Sequence, residues 1–164
     1  MNYKHFLDQL DKRLSLYSEL HNKFIKCRKG CSNCCENGDY PVSQLELEYL
    51  MQGFIALNNE EKNIVKNNIN QMKKGGKCPF LVNNECSVYT YRPIICRVYG
   101  IAYLCAKNIV KTPYCVNEGL NYSEVYKDGE IIINPIKGNL DTPTLLKEFE
   151  FGEIRNLFDW LKND

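Results

Sequence analysis

Four cysteines stand within nine residues of this chain, in the run CRKGCSNCC from Cys27 to Cys35, and the last two, Cys34 and Cys35, are adjacent. A fold that accepts such a run must find a use for thiols packed closer than ordinary core residues. A lone cysteine serves as a small buried hydrophobe. Four of them interleaved with Arg28, Lys29, Ser32 and Asn33 do not fit an apolar core. The chain holds nine cysteines in 164 residues, an odd number that would leave a complete disulfide framework one thiol over.

The start of the chain, MNYKHFLDQLDKR, is charged from Lys4 onward and lacks the apolar stretch of a secretory signal. No apolar run approaches the roughly 20 residues of a membrane-spanning helix. These features predict a soluble, cytoplasmic protein with no membrane partner. A reducing cytosol disfavours structural disulfides, which leaves metal binding as the use for the thiols. The formal net charge is +1, which lacks the basic surplus of most nucleic-acid-binding domains.

Thiolates are strong ligands for zinc and for iron–sulfur clusters. Cys31 and Cys34 have the spacing of a metal knuckle, and Cys27 adds a third thiol from the preceding turn. Neighbouring side chains usually diverge, so Cys34 and Cys35 are not expected on one mononuclear ion. The doublet asks for two nearby sites, or for a cluster met from two directions. Cys78, Cys86, Cys96 and Cys115 bring the count to eight, enough for two four-thiolate centres. Eight bare thiolates would take the formal charge of +1 to −7, and two zinc ions would return it to −3. Arg92 and Arg97 flank Cys96 and can donate to cofactor-bound sulfur from outside the ligand set, as can Arg28. Cys105, in the apolar run IAYLCAK, reads as an ordinary buried cysteine.

Helical periodicity predicts an amphipathic helix over residues 2–26, with Phe6, Leu7, Leu10, Leu14, Tyr17, Leu20 and Phe24 on one face. Ser43 and Glu46 form a capping box for a second helix, and a third ends before Gly75 and Gly76. Asn83-Asn84 and Asp128-Gly129 lie between short β-rich runs and predict hairpins. Pro93 suits the first turn of a short helix carrying Cys96. The tail, residues 143–162, reads as helical, bent or split at Gly152, with Trp160 as a core anchor. The expected fold class is α+β, mainly helical: a small cysteine-rich domain stapled by metal–thiolate centres, with short β-hairpins. Its parts are an N-terminal helix over 1–26, a metal-binding domain over 27–119, and a hairpin with a helical extension over 120–164. Such a domain is expected to lose its fold without metal, since structural zinc contributes on the order of 10 kcal/mol.

The run Cys27-x3-Cys31-x2-Cys34-Cys35, followed by Cys78-Pro79-Phe80-Leu81 and by CSVYTYRPIICRVYG, resembles the YkgJ family of cysteine-cluster proteins. The doublet and the series Cys86-x2-Tyr89-x2-Arg92-Pro93-x2-Cys96-Arg97 occur together and in order, and the likeness spans about residues 27–119. It implies a zinc- or iron-chelating domain whose ligands are Cys27, Cys31, Cys34, Cys35, Cys78, Cys86, Cys96 and Cys115. It also implies one of two cofactors, a 4Fe–4S cluster or zinc. Family members are labelled iron–sulfur oxidoreductases by analogy, and a longer flagellin lysine N-methylase carries the motif. This chain has no glycine-rich nucleotide loop, no P-loop and no nucleophile elbow. His5 and His21 are 16 residues apart and form no ligand pair.

Three roles follow from the thiols. One is an iron–sulfur protein for electron transfer or a cluster-dependent modification. Another is a structural zinc domain that binds a protein partner. The third is a carrier that sequesters or delivers its metal.

Overall fold

A computed structural model describes residues 2–28, 30–105 and 107–162. Among the described residues, no helix is long and apolar enough to cross a membrane. The chain divides into two compact units, one of Met1–Cys27 with Arg97–Leu145, the other of Arg28–Cys96 with Leu146–Asp164.

Helix α1 (Tyr3–Leu20) opens on Asn2, whose side chain accepts the His5 N–H at 2.8 Å. Leu7, Leu10 and Leu14 are buried, as their spacing predicts. The helix stops six residues short of the predicted end, and Leu20 is exposed. Beyond it the backbone is committed to tertiary bonds. The Phe24 carbonyl accepts the Tyr122 N–H at 2.7 Å, and the Lys26 N–H donates to Asn121 Oδ1 at 2.6 Å.

A single turn, α2 (Asn33–Glu36), carries the doublet and is followed by strand β1 (Pro41–Ser43). Helix α3 (Gln44–Ala56) begins with the predicted capping box of Ser43 and Glu46. Helix α4 (Asn59–Gln71) has a second box, Asn58 with Glu61. Strands β2 (Leu81–Val82) and β3 (Glu85–Cys86) form the predicted hairpin. Asn83 and Asn84 take positive φ of 51° and 62°, the pair of left-handed residues that a tight two-residue turn requires. Helix α5 (Ile94–Val98) follows Pro93.

Strands β4 (Tyr103–Leu104) and β5 (Val110–Lys111) pair antiparallel, and the later β8 (Ile136–Lys137) pairs parallel to β4. Between them β6 (Tyr126–Lys127) and β7 (Glu130–Ile131) close the Asp128-Gly129 hairpin, again with positive φ at both turn residues. In this unit Ala102, Val116, Tyr122 and Ile131 form a core cluster, with Phe24 and Ile25 packed against it.

The tail differs from its sequence reading. It holds a short helix, α6 (Thr142–Leu145), a strand, β9 (Ile154–Asn156), and a final helix, α7 (Leu157–Lys162). Strand β9 pairs antiparallel with β1, Val42 opposite Arg155. The physical reason lies at the start of α3. Its first-turn amides have no partner within the helix, and Gln44 and Leu45 donate instead to the carbonyls of Glu153 and Phe151. Gly152, at φ +69° and against Gln44, makes the break that admits this strand. Val42, Leu50, Val65, Phe80, Val88 and Leu157 form this unit's core. Trp160 packs on it and donates its indole N–H to the Val42 carbonyl at 2.8 Å.

Candidate metal centre

Six of the nine cysteines, Cys31, Cys34, Cys35, Cys78, Cys86 and Cys96, belong to the unit built on β1 and α3. Three pieces of local structure present five of them to one another. The first is α2, where the Cys35 amide donates to the Ser32 carbonyl at 2.8 Å and puts Cys34 and Cys35 in one helical turn. Tyr40 fixes this turn from below, its hydroxyl donating to the Cys34 carbonyl at 2.7 Å.

The second piece is the approach to the β2–β3 hairpin. The Cys78 amide donates to the Cys35 carbonyl at 2.8 Å, which ties doublet and hairpin backbone to backbone. Gly38 makes the approach possible: a Cβ there would lie 2.6 Å from Cys78 Cβ and 3.0 Å from the Cys35 carbonyl oxygen. The backbone at Phe80 and Leu81 favours the charged form of the Cys78 thiol, and that at Val88 the charged form of Cys86. Such backbone groups compensate negative charge on sulfur, as metal-bound thiolates require.

The third piece is α5. Its Ile94 N–H donates to Oε1 of Glu46 at 2.8 Å. Glu46 is 1% exposed, and its other oxygen accepts from both the Ser43 amide and hydroxyl. One buried carboxylate thus caps α3 and anchors the turn that presents Cys96.

The electrostatics show how strongly the five thiols feel one another. A hydrogen bond between the Cys34 and Cys35 side chains holds the Cys34 thiol down to about 7, against burial and with help from Arg92. The same bond, burial and the neighbouring thiols push Cys35 far above the usual thiol range. Burial pushes Cys78 up to about 12 and raises Cys86 and Cys96. Cys78, Cys34 and Cys86 each add to the penalty on Cys96, while Arg92 relieves it. Arg92 is itself fixed, with Nε donating to the Tyr89 carbonyl at 2.9 Å and its guanidinium 3.5 Å from the Tyr89 ring centre. A partly buried group of thiols cannot ionise together without added positive charge. A soft cation supplies that charge, so the donor set fits a thiolate-bound metal. Among the described residues, no group of three or more His, Cys, Asp or Glu side chains is placed so that it could hold a metal ion.

Both thiols of the doublet lie in the single turn α2, and each shifts the other's protonation.

The other residues singled out by sequence are placed as follows. Cys31 is exposed, and its amide donates to the Arg28 carbonyl at 3.0 Å. Cys27, Cys105 and Cys115 belong to the second unit. Cys27 is exposed, and its sulfur accepts from Asn121. Cys115 is buried within the 3-10 turn Tyr114–Glu118. Cys105 is buried as its apolar setting predicts, and the Lys107 amide lowers its thiol pKa against a desolvation cost. Arg97 pairs with Asp11, its side chain nearly covered. Gly38, Tyr40, Glu46 and Asn121 were not read as site residues. Their roles depend on long-range contacts, and only the Glu46 capping box left a local signal.

A family model described as "CxxCxxCC: Putative zinc- or iron-chelating domain" matches residues 26–117, more than half of the chain. No curated protein and no solved structure matches it.

Proposed function

The chain belongs to the CxxCxxCC family of zinc- or iron-chelating domains, and from that premise we propose that it is an iron–sulfur protein. Its cluster is held by thiolates drawn from Cys34, Cys35, Cys78, Cys86 and Cys96. The observation that carries this reading is the group of five thiols, Cys34, Cys35, Cys78, Cys86 and Cys96, each of which shifts the protonation of others in the group. Five donors exceed the four that complete a tetrahedral zinc site. A cluster is broad enough to be met by adjacent residues from one side and by the hairpin and α5 from others. Cys27, Cys31 and Cys115 complete the proposed ligand set on the strength of the motif. Arg92 is the proposed charge partner within the five-thiol unit, and Arg97 a further donor.

When bound, an iron–sulfur cluster supplies one-electron transfer. The residues prepare for it in distinct ways. Glu46 and Gly38 fix where Cys96 and Cys78 stand, the backbone at Phe80, Leu81 and Val88 favours the thiolate form of Cys78 and Cys86, and Arg92 offsets thiolate charge. Electron transfer or a cluster-dependent modification is the proposed role in the cytoplasm.

Structural zinc is the second reading. It is favoured by the way Cys78, Cys86 and Cys96 come from separate short segments, the β2–β3 hairpin and α5, which a metal would join. In that case the domain serves a protein partner. Anaerobic purification tests the choice. Iron and acid-labile sulfide in matching amounts, with visible absorbance bleached by dithionite, are expected. A colourless protein with stoichiometric zinc would defeat the iron–sulfur reading.

A further inference from the structure

Asn121 lies beyond the matched family span and 94 residues from Cys27, yet its side chain holds that cysteine's sulfur. It is 1% exposed, and both its Oδ1 and its Nδ2 are hydrogen-bonded. Oδ1 accepts the Lys26 N–H at 2.6 Å. Nδ2 donates to Cys27 Sγ at 3.0 Å and to the Gly100 carbonyl at 2.8 Å. The Lys26 amide is a donor and can face only an oxygen, so it fixes the carboxamide orientation. The N–H group must then point at sulfur.

Gly100 supplies the space. A Cβ on it would lie 2.7 Å from Cys27 Sγ and 2.8 Å from Asn121 Nδ2, closer than atoms pack. The segment is held a second time, two residues before Lys26, by the Tyr122 N–H on the Phe24 carbonyl. The sulfur of an exposed residue is therefore seated against a buried, fully committed donor. An exposed thiol in a merely structural turn needs no such seat.

We propose that Asn121 is a positioning residue for the Cys27 thiolate. It fixes the direction of the sulfur lone pairs and withdraws charge from the sulfur, with Gly100 keeping the place open. Hydrogen bonds to sulfur are among the means by which a protein tunes a metal–thiolate centre. The inference rests on the reading that Cys27 is a metal ligand.

The test uses the full chain, labelled with ¹⁵N and loaded with ¹¹³Cd as the probe. A metal-bound sulfur that accepts a hydrogen bond transmits a spin coupling from cadmium to the donated proton. A coupling to the Asn121 side-chain N–H, with Cys27 protected from alkylation, is expected. Protection of Cys27 with no coupling at Asn121 overturns the inference alone. Free alkylation of Cys27 in the cadmium-loaded protein overturns the ligand reading and the inference with it. The variant Asn121→Asp keeps an acceptor for Lys26 but sets an oxygen against the sulfur, and it is expected to lower cadmium affinity about tenfold or more. Unchanged affinity in folded Asn121→Asp would overturn the positioning role. Should the variant not fold, the coupling in the unaltered chain decides.

Discussion

Oε1 of Glu46 accepts the backbone N–H of Ile94 at 2.8 Å across 48 residues of sequence. The same carboxylate closes the capping box of α3 through its other oxygen. A residue that reads in sequence as a local cap is also what fixes the turn carrying Cys96. Replacing it by alanine leaves the Ile94 amide and the Ser43 groups without their acceptor in a buried place. The expected loss is roughly 3 kcal/mol in stability, measured by denaturant unfolding of the purified protein. Glu46→Gln, which retains one acceptor, is expected to lose less. Equal stability of Glu46→Ala and the native chain would contradict this role.

Gly38 is required for space. Its φ is not in the left-handed region, but a Cβ would meet Cys78 Cβ at 2.6 Å and the Cys35 carbonyl oxygen at 3.0 Å. Backbone cannot yield as a flexible side chain does. Gly38→Ala is expected to push the doublet and the hairpin apart, at a cost of about 1–3 kcal/mol. Metal content after purification should fall with it. Gly75→Ala is the comparison: its Cβ meets nothing, so only the strain of positive φ is added and metal content should hold.

The raised thiols set a pH dependence for the metal-free fold. Burial raises Cys78 to about 12, and raises Cys86 and Cys96. Below the unfolded thiol pKa of about 8.5, both states hold these protons and the thiols add no slope. Above it the unfolded chain releases protons that the folded chain keeps, so stability falls as pH rises toward the folded values. Should the fold survive removal of the metal, the metal-free protein loses stability between about pH 8.5 and 12, read as a falling denaturation midpoint. Metal-loaded protein should not show this loss, because its thiols are already deprotonated.

Arg92 reaches the thiols from a fixed position on Tyr89 and lowers the pKa of Cys34. Arg92→Gln removes positive charge beside the proposed cluster. Reduction adds an electron, and a nearby cation favours the reduced form. The variant is expected to have a more negative midpoint potential in a dye-mediated titration. A potential unchanged by the substitution would place Arg92 outside the cluster's field.

Sequence carried the parts of this fold whose causes are local. The turns at Asn83-Asn84 and Asp128-Gly129, and the box at Ser43 and Glu46, are settled by a few neighbouring residues. The tail misled because the helical pattern that holds over Leu157, Phe158 and Trp160 runs back through Ile154, while Ile154, Arg155 and Asn156 are recruited to β1 by pairing that no local pattern announces. The candidate thiols were legible by type and spacing. What holds them was not. Gly38 acts through a contact 40 residues away and Asn121 through one of 94, and neither leaves a mark in the neighbouring sequence. That the doublet sits in one helical turn, α2, was not announced by its spacing.

The account stands most directly on the metal content of anaerobically purified protein, compared among the native chain, Cys96→Ser and Cys105→Ser. Cys96 belongs to the five-thiol group, whereas Cys105 is buried in the other unit. The predicted result is stoichiometric iron and sulfide in the native chain and in Cys105→Ser, with both lost in Cys96→Ser. Substoichiometric metal throughout, or metal that survives Cys96→Ser unchanged, would contradict a centre built on these five thiols.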